Sequence, residues 1–244
     1  MDAVYRKDYH VGPGDTDPFG YCRASALQAM FQDVASEHAD SLAASREALF
    51  DALHAAWILV RFKYRLFRPV RFPETLTAST WTFPPKGVFF LREFDLHVGE
   101  ERVGEATSKW IVADVETRKI LRPDRQMPFY QIAQSAAPRE EELSKLSPPG
   151  PLSDRGTYTV RYSDLDMNCH MNNVRYVDII CDALALEGGN GAYVSEIQIN
   201  YAAECRAGET IALGSAEAPG GQFVRGTGSD GAVRFDALVS LSAP

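Results

Sequence analysis

Long apolar runs, a basic excess and paired cysteines are all missing from this chain of 244 residues. No stretch approaches the roughly 20 uninterrupted apolar residues of a membrane-crossing helix, so no membrane span is expected. The net charge of −8 lacks the basic face that a phosphate backbone requires, which argues against nucleic acid as a main partner. Cys22, Cys169, Cys181 and Cys205 form no C-x-x-C pair, so reduced thiols are expected and a zinc site is not. The opening "MDAVYRKDYHVGPGD" has no apolar core of the kind a secretory signal carries, and the expected location is the cytoplasm. What remains, 45% hydrophobic and 24% charged residues, is the composition of an ordinary globular protein. The length suits one large domain or two small ones.

The chain repeats itself. Tyr9, Val11, Asp15 and Asp17 recur as Tyr158, Val160, Asp164 and Asp166, at the offset that separates Asp15 from Asp164. Each set leads into a helical pattern. In the first half Ser25-x-x-Gln28 reads as a capping box ahead of a stripe of Leu27, Met30, Phe31 and Val34. In the second, Asn172 or Asn173 can cap a run containing Val174, Val177, Ile180 and Leu184. A second match follows each helix, where Glu74-Thr75 recurs as Glu209-Thr210 at a shorter offset. The first half therefore has a longer connection, and "SREALFDALH" supplies it as a second short helix.

Strands fill the rest. Phe94, Leu96 and Val98 alternate with Glu93, Asp95 and His97, the pattern of a half-buried strand. Asp230-Gly231 marks a hairpin turn. The reading is α+β: two units, each a long helix whose apolar face is covered by a curved antiparallel sheet. Their expected bounds are 1–122 and 158–244, joined by a Pro-, Ser- and charge-rich linker at 123–157.

"SDLDMNCHMNNVRYVD" from Ser163, "YAAECRAGET" from Tyr201 and "GEATSKWIVADVETRKILRP" from Gly104 are similar to the fatty acyl-ACP thioesterases, a family of tandem hotdog-fold enzymes, in motif, order and length. The resemblance, to a bacterial type without a plastid transit peptide, implies hydrolysis of the thioester between a fatty acyl chain and the phosphopantetheine arm of acyl carrier protein. Such a reaction releases free fatty acid and ends chain elongation in fatty acid biosynthesis. It implies no metal and no cofactor, and it leaves a homodimer open. The family's Asp, Asn and His fall on Asp166, Asn168 and His170, and its Glu-Cys pair falls on Glu204 and Cys205.

The internal copy then serves as a control. Asn168 stands where the first half has Phe19, His170 where it has Tyr21, and Glu204 where it has Pro69. The polar groups that chemistry needs are lost together while the scaffold persists, so one active site in the second half is expected. Asp166 keeps an aspartate, Asp17, as its counterpart, so a structural share in its turn is expected beside a catalytic one. Cys205 corresponds to Val70, which suits a small buried hydrophobe, and neighbours on a strand face opposite sides. Glu204 is therefore the expected general base for water, with His170 orienting or protonating and Asn168 placing the water or thioester. Attack by Asp166 through an anhydride, or by Cys205, stays open. An extended segment would project 166, 168 and 170 to one side, and the following helix start would offer N–H groups to the oxyanion.

An acidic carrier protein needs a basic patch. Arg61, Lys63 and Arg65 share one face of a strand, with Arg68 and Arg71 beyond, and "TRKILRPDR" from Thr117 is a rival. The resemblance places the acyl chain in the first half, where Phe31, Trp57, Phe89 and Phe90 supply aromatic surface or plain core. The alternatives are hydrolysis of acyl-CoA and a non-catalytic acyl-ligand-binding protein on the same fold.

Overall fold

The structure is a computed structural model describing residues 4–124, 139, 143–186 and 191–243. The residues fall into two compact units, Met1–His10 with Met30–Tyr64 and Glu74–Leu143, and Val11–Ala29 with Arg65–Pro73 and Ser144–Pro244. In chain order the elements are β1 (Tyr5–His10), α1 (Ala24–Ser41), α2 (Arg46–Leu53), β2 (Ala55–Leu66), β3 (Thr75–Thr82), β4 (Phe90–Val98), β5 (Glu101–Asp114) and β6 (Ile120–Leu121). There follow β7 (Ser153–Thr159), α3 (Asn173–Ala183), β8 (Tyr193–Tyr201), β9 (Thr210–Ala218), β10 (Gly221–Gly228) and β11 (Val233–Ser242). Residues 125–138 and 140–142 of the expected linker lie outside the described residues, and its last residues already belong to β7.

The strands of the first unit run in the order β1-β3-β4-β5-β2, with β6 on β5, and those of the second in the order β7-β9-β10-β11-β8. One order is the other shifted by one copy, so the sequence repeat is a repeat of topology. The pairings within each unit, such as Tyr5↔Thr80 and Tyr158↔Ile211, are antiparallel. Each sheet covers a helix. In the first unit Phe31 of α1 is buried with its ring centroid 5.5 Å from Phe62, 6.2 Å from Tyr64 and 5.1 Å from Phe94. In the second, Tyr176 of α3 meets Tyr201 at 5.3 Å and Phe235 at 5.5 Å, both nearly edge-on. Burying one such ring is worth about 1.5–3 kcal/mol, so these clusters fix each helix on its sheet. Gly226 lets the sheet close under Phe235, because a Cβ there would come within 2.2 Å of that ring.

Three local expectations meet the structure differently. The Asn172 side chain caps α3 by accepting the Val174 N–H at 2.9 Å, as its sequence position suggests. Ser25 and Gln28 are no capping box: α1 begins at Ala24, so both lie inside the helix and are buried. Glu93 is buried where strand alternation put it in solvent. Arg139 covers that face, donating its backbone N–H to Glu93 Oε1 at 2.6 Å and laying its guanidinium over Trp81.

The short helix α2 forms as expected, capped by Ser45, and buries Leu49 beside Ala55 and Val112. Trp57 and Phe90 pack partly exposed against that cluster, ring to ring at 4.9 Å. No helix among the described residues is long and apolar enough to cross a membrane.

Candidate active site

The two copies build the same turn. In the first, the Asp17 N–H donates to Tyr21 O at 2.8 Å, the Gly20 N–H to Asp17 O at 3.1 Å, and the Phe19 N–H to Asp17 Oδ1 at 2.9 Å. In the second, the Asp166 N–H donates to His170 O at 2.9 Å, the Cys169 N–H to Asp166 O at 3.0 Å, and the Asn168 N–H to Asp166 Oδ1 at 2.8 Å. An aspartate at the head of the turn supplies the acceptor that holds it. The fourth residue needs a left-handed backbone: Gly20 takes φ 78°, and Cys169 takes φ 59°. A residue with a Cβ costs about 1 kcal/mol there. The expected extended segment is thus a tight turn, because the Asp166 carboxylate folds the chain back upon itself. Asp166, Asn168 and His170 do not project as a strand would. The Asn168 side chain is exposed and makes no hydrogen bond among the described residues.

The turn delivers His170 to Glu204. His170 Nε2 lies 3.0 Å from Glu204 Oε2, with both side chains partly open to solvent. The segment Ala202–Glu209 that carries Glu204 follows β8 as irregular chain rather than strand, so strand alternation is not what separates Glu204 from Cys205. Burial separates them: Glu204 is exposed, while Cys205 is 0% exposed. The Cys205 carbonyl accepts the Met171 N–H at 2.8 Å, as Val70 accepts the Cys22 N–H at 2.7 Å. Burial pushes the Cys205 thiol up to about 11.

Sequence reasoning missed what holds this segment. The Arg234 carbonyl accepts the N–H groups of Ala202 at 2.8 Å and Ala203 at 3.2 Å. Its side chain donates to Glu209 Oε1, and Glu209 accepts the Arg206 N–H at 3.2 Å. Arg234 thus grips both ends of the segment bearing Glu204. The repeated Glu209-Thr210 was the available signal, but an arginine 25 positions away, |i−j| being 25, cannot be paired with it by spacing. A second expectation is trimmed at the start of α3. The Asn172 N–H goes to Asp164 O, the Val174 N–H to Asn172 Oδ1 and the Arg175 N–H to Asn172 O. Of that turn, the Asn173 N–H alone has no acceptor among the described residues. No group of three or more His, Cys, Asp or Glu among the described residues is placed to hold a metal ion.

Comparison with known proteins agrees with this architecture. The chain is 25% identical over 244 aligned residues to the chloroplastic oleoyl-acyl carrier protein thioesterase 2 of Arabidopsis thaliana, covering 92% of this chain and 65% of the plant protein. It is 26% identical to the corresponding protein of Coriandrum sativum over 83% of this chain and 58% of that protein. The chain therefore spans about three fifths of the length of these plant relatives. In three dimensions it is similar to an acyl-ACP thioesterase from Bacteroides thetaiotaomicron, with a TM-score of 0.89, 21% identity and 98% of each chain covered. The 12:0-ACP thioesterase from Umbellularia californica gives a TM-score of 0.86 at 17% identity, covering 99% of this chain and 98% of that one. The fold is the hotdog fold in tandem. With the acyl-ACP thioesterase N-terminal domain matched over residues 2–126 and the C-terminal domain over residues 152–227, the chain belongs to the acyl-ACP thioesterase family.

Proposed function

We propose that this chain hydrolyses the thioester of fatty acyl-[acyl carrier protein], with Glu204 as general base and His170 as its partner. The observation that carries the reading is the 3.0 Å contact between His170 and Glu204, in a copy whose twin holds Tyr21 and Pro69 on the same backbone. Glu204 takes a proton from water, and the water oxygen attacks the thioester carbonyl carbon. The tetrahedral oxyanion is met by the Asn173 N–H at the positive end of α3, with the exposed Asn168 amide beside the substrate. The proton passes from Glu204 across the 3.0 Å contact to His170, which delivers it to the departing sulfur as the carbon–sulfur bond breaks. The products are a free fatty acid and the carrier thiol.

Asp166 and Cys205 are given lesser parts. The Asp166 carboxylate serves its turn as Asp17 serves the other, and a buried thiol held near 11 is largely protonated at neutral pH. The first half is proposed to receive the acyl chain at Trp57, Phe89 and Phe90, which remain partly exposed, whereas Phe31 is committed to the core. The four cysteines are unbridged, which supports the cytoplasmic placement that goes with this reading.

Steady-state hydrolysis of fatty acyl-carrier and fatty acyl-CoA panels tests the proposal. Preferential turnover of the carrier substrates supports it. Equal or better use of acyl-CoA would make the chain a general acyl thioesterase, and no turnover of either would leave a ligand-binding protein.

A further inference from the structure

The rim of the His170–Glu204 site differs from its twin as sharply as the site itself. Four rim residues stand out: Arg161, Tyr162, Met167 and Arg206. The backbone ties them to the site. The Val160 N–H donates to Glu209 O and the Gly208 N–H to Val160 O, both at 2.9 Å, joining the Arg161–Tyr162 turn to the turn that begins at Arg206. The Met171 N–H on Cys205 O joins that segment in turn to His170. Met167 sits inside the catalytic turn.

Tyr162 is 92% exposed and Met167 72%, the two most exposed large apolar side chains among the described residues. Large apolar groups held in water beside an active site are candidate anchors for a partner. The charges around them are unequally committed. Asp164 accepts from the Tyr158 hydroxyl at 2.8 Å and the Arg161 N–H at 2.7 Å. Asp166 accepts from Asn168, Glu204 faces His170, and Glu209 is bound to Arg234. Arg175 pairs with Asp178 at 3.0 Å. Arg161 and Arg206 are exposed and make no ion pair with the described residues. On a chain of net charge −8, these two exposed guanidinium groups are positive charge carried by the segments that border His170 and Glu204.

The twin lacks the set. Gly12, Pro13 and Pro18 stand in the places of Arg161, Tyr162 and Met167. An arginine persists only at the place of Arg206, and there Arg71 lies over the Tyr21 ring at 4.5 Å. The strand arginines already have partners of their own: Arg61 donates to the Leu143 carbonyl, and the exposed Arg65 lies 4.0 Å from Glu196.

We propose that Arg161 and Arg206, around Tyr162 and Met167, form the docking surface for the acidic carrier protein. The inference rests on the hydrolase reading above and adds where the carrier sits. An acidic face of the carrier would meet the two arginines, with Tyr162 and Met167 against its apolar residues. Local positive charge is what an acidic partner needs to approach a chain that repels it at long range.

The test compares a fatty acyl-carrier substrate with the same acyl group on free pantetheine, which has no protein to dock. Arg161→Glu with Arg206→Glu should raise KM for the carrier substrate about tenfold or more, with kcat/KM for acyl-pantetheine unchanged. Salt should raise the wild-type KM for the carrier and barely move that of the variant. Tyr162→Ala, which alters no charge, should weaken the carrier substrate alone. Acyl-pantetheine turnover certifies that each variant is folded. If reversal at 161 and 206 fails to fold, Arg161→Gln with Arg206→Gln carries the same comparison. Equal losses on both substrates would overturn the docking role, as would an unchanged carrier KM alongside a loss from Arg61→Glu, Lys63→Glu and Arg65→Glu. A wild-type protein that cleaves neither substrate would remove the hydrolase reading, and this surface with it.

Discussion

Asp166 does for its turn what Asp17 does for the matching turn of the first copy: each accepts, on Oδ1, the N–H two residues ahead. That equivalence separates the scaffold from the chemistry. Asp166→Asn keeps an acceptor at that position and should retain the fold and most of kcat. Asp166→Ala loses the acceptor and should cost about 1 kcal/mol in chemical denaturation. A total loss of turnover in the asparagine variant, or an acyl group found on Asp166 by mass spectrometry, would instead make it the nucleophile.

Cys205 gives the complementary prediction. It occupies the place of Val70, is fully buried, and has its thiol pushed up to about 11. Cys205→Ala should remain active, losing about 1 kcal/mol of stability. Alkylating reagents should reach exposed Cys169 first. An acyl-enzyme trapped on Cys205 would invert the assignment.

Much of this was legible in the chain. The repeated Tyr-x-Val and Asp-x-Asp spacing carried the tandem topology, because strand order follows copy order. The joint loss of His170 and Glu204 from the first copy is the ground on which a single site is proposed. The shape of the 166–170 turn was not legible. Alternate polar residues read equally well as strand or turn, and a carboxylate bonded to its own chain decides between them. Nor was the burial of Glu93, which depends on Arg139, a residue 46 positions away (|i−j| of 46) that spacing does not connect.

Arg234 should act on catalysis through the segment it holds. Arg234→Met should lower kcat about tenfold or more, with KM little changed, as Glu204 loses its fixed position. Arg225→Met is the control, since Arg225 also pairs closely with a carboxylate, Asp236, at 2.7 and 2.9 Å, and has no hydrogen bond or ion pair with residues 202–209 to lose. It should lose similar stability and keep kcat. Matching kinetic losses in the two variants would reduce Arg234 to a structural residue.

The first unit holds a pH-sensitive pair. Arg92 Nη1 donates to His38 Nδ1 at 2.8 Å, and His38 is 1% exposed. Burial first, and the Arg92 cation second, lower His38 from 6.5 to about 4. Between these values the unfolded chain binds the proton and the folded chain does not. The stability this group contributes is therefore complete above about pH 6.5 and lost as pH falls towards 4, by about 3 kcal/mol. Unfolding midpoints across that window should fall less steeply in His38→Gln than in the wild type. Parallel curves would show that His38 does not carry the dependence.

The central claim is that Glu204 activates water beside His170, and kcat of Glu204→Gln on a fatty acyl-carrier substrate tests it most directly. Glutamine keeps the size and hydrogen bonding of the side chain and removes the base. The account predicts a kcat lowered roughly 10²–10⁴-fold, a comparable fall in His170→Ala, and unfolding close to that of the wild type. A Glu204→Gln enzyme turning over near the wild-type rate would contradict it.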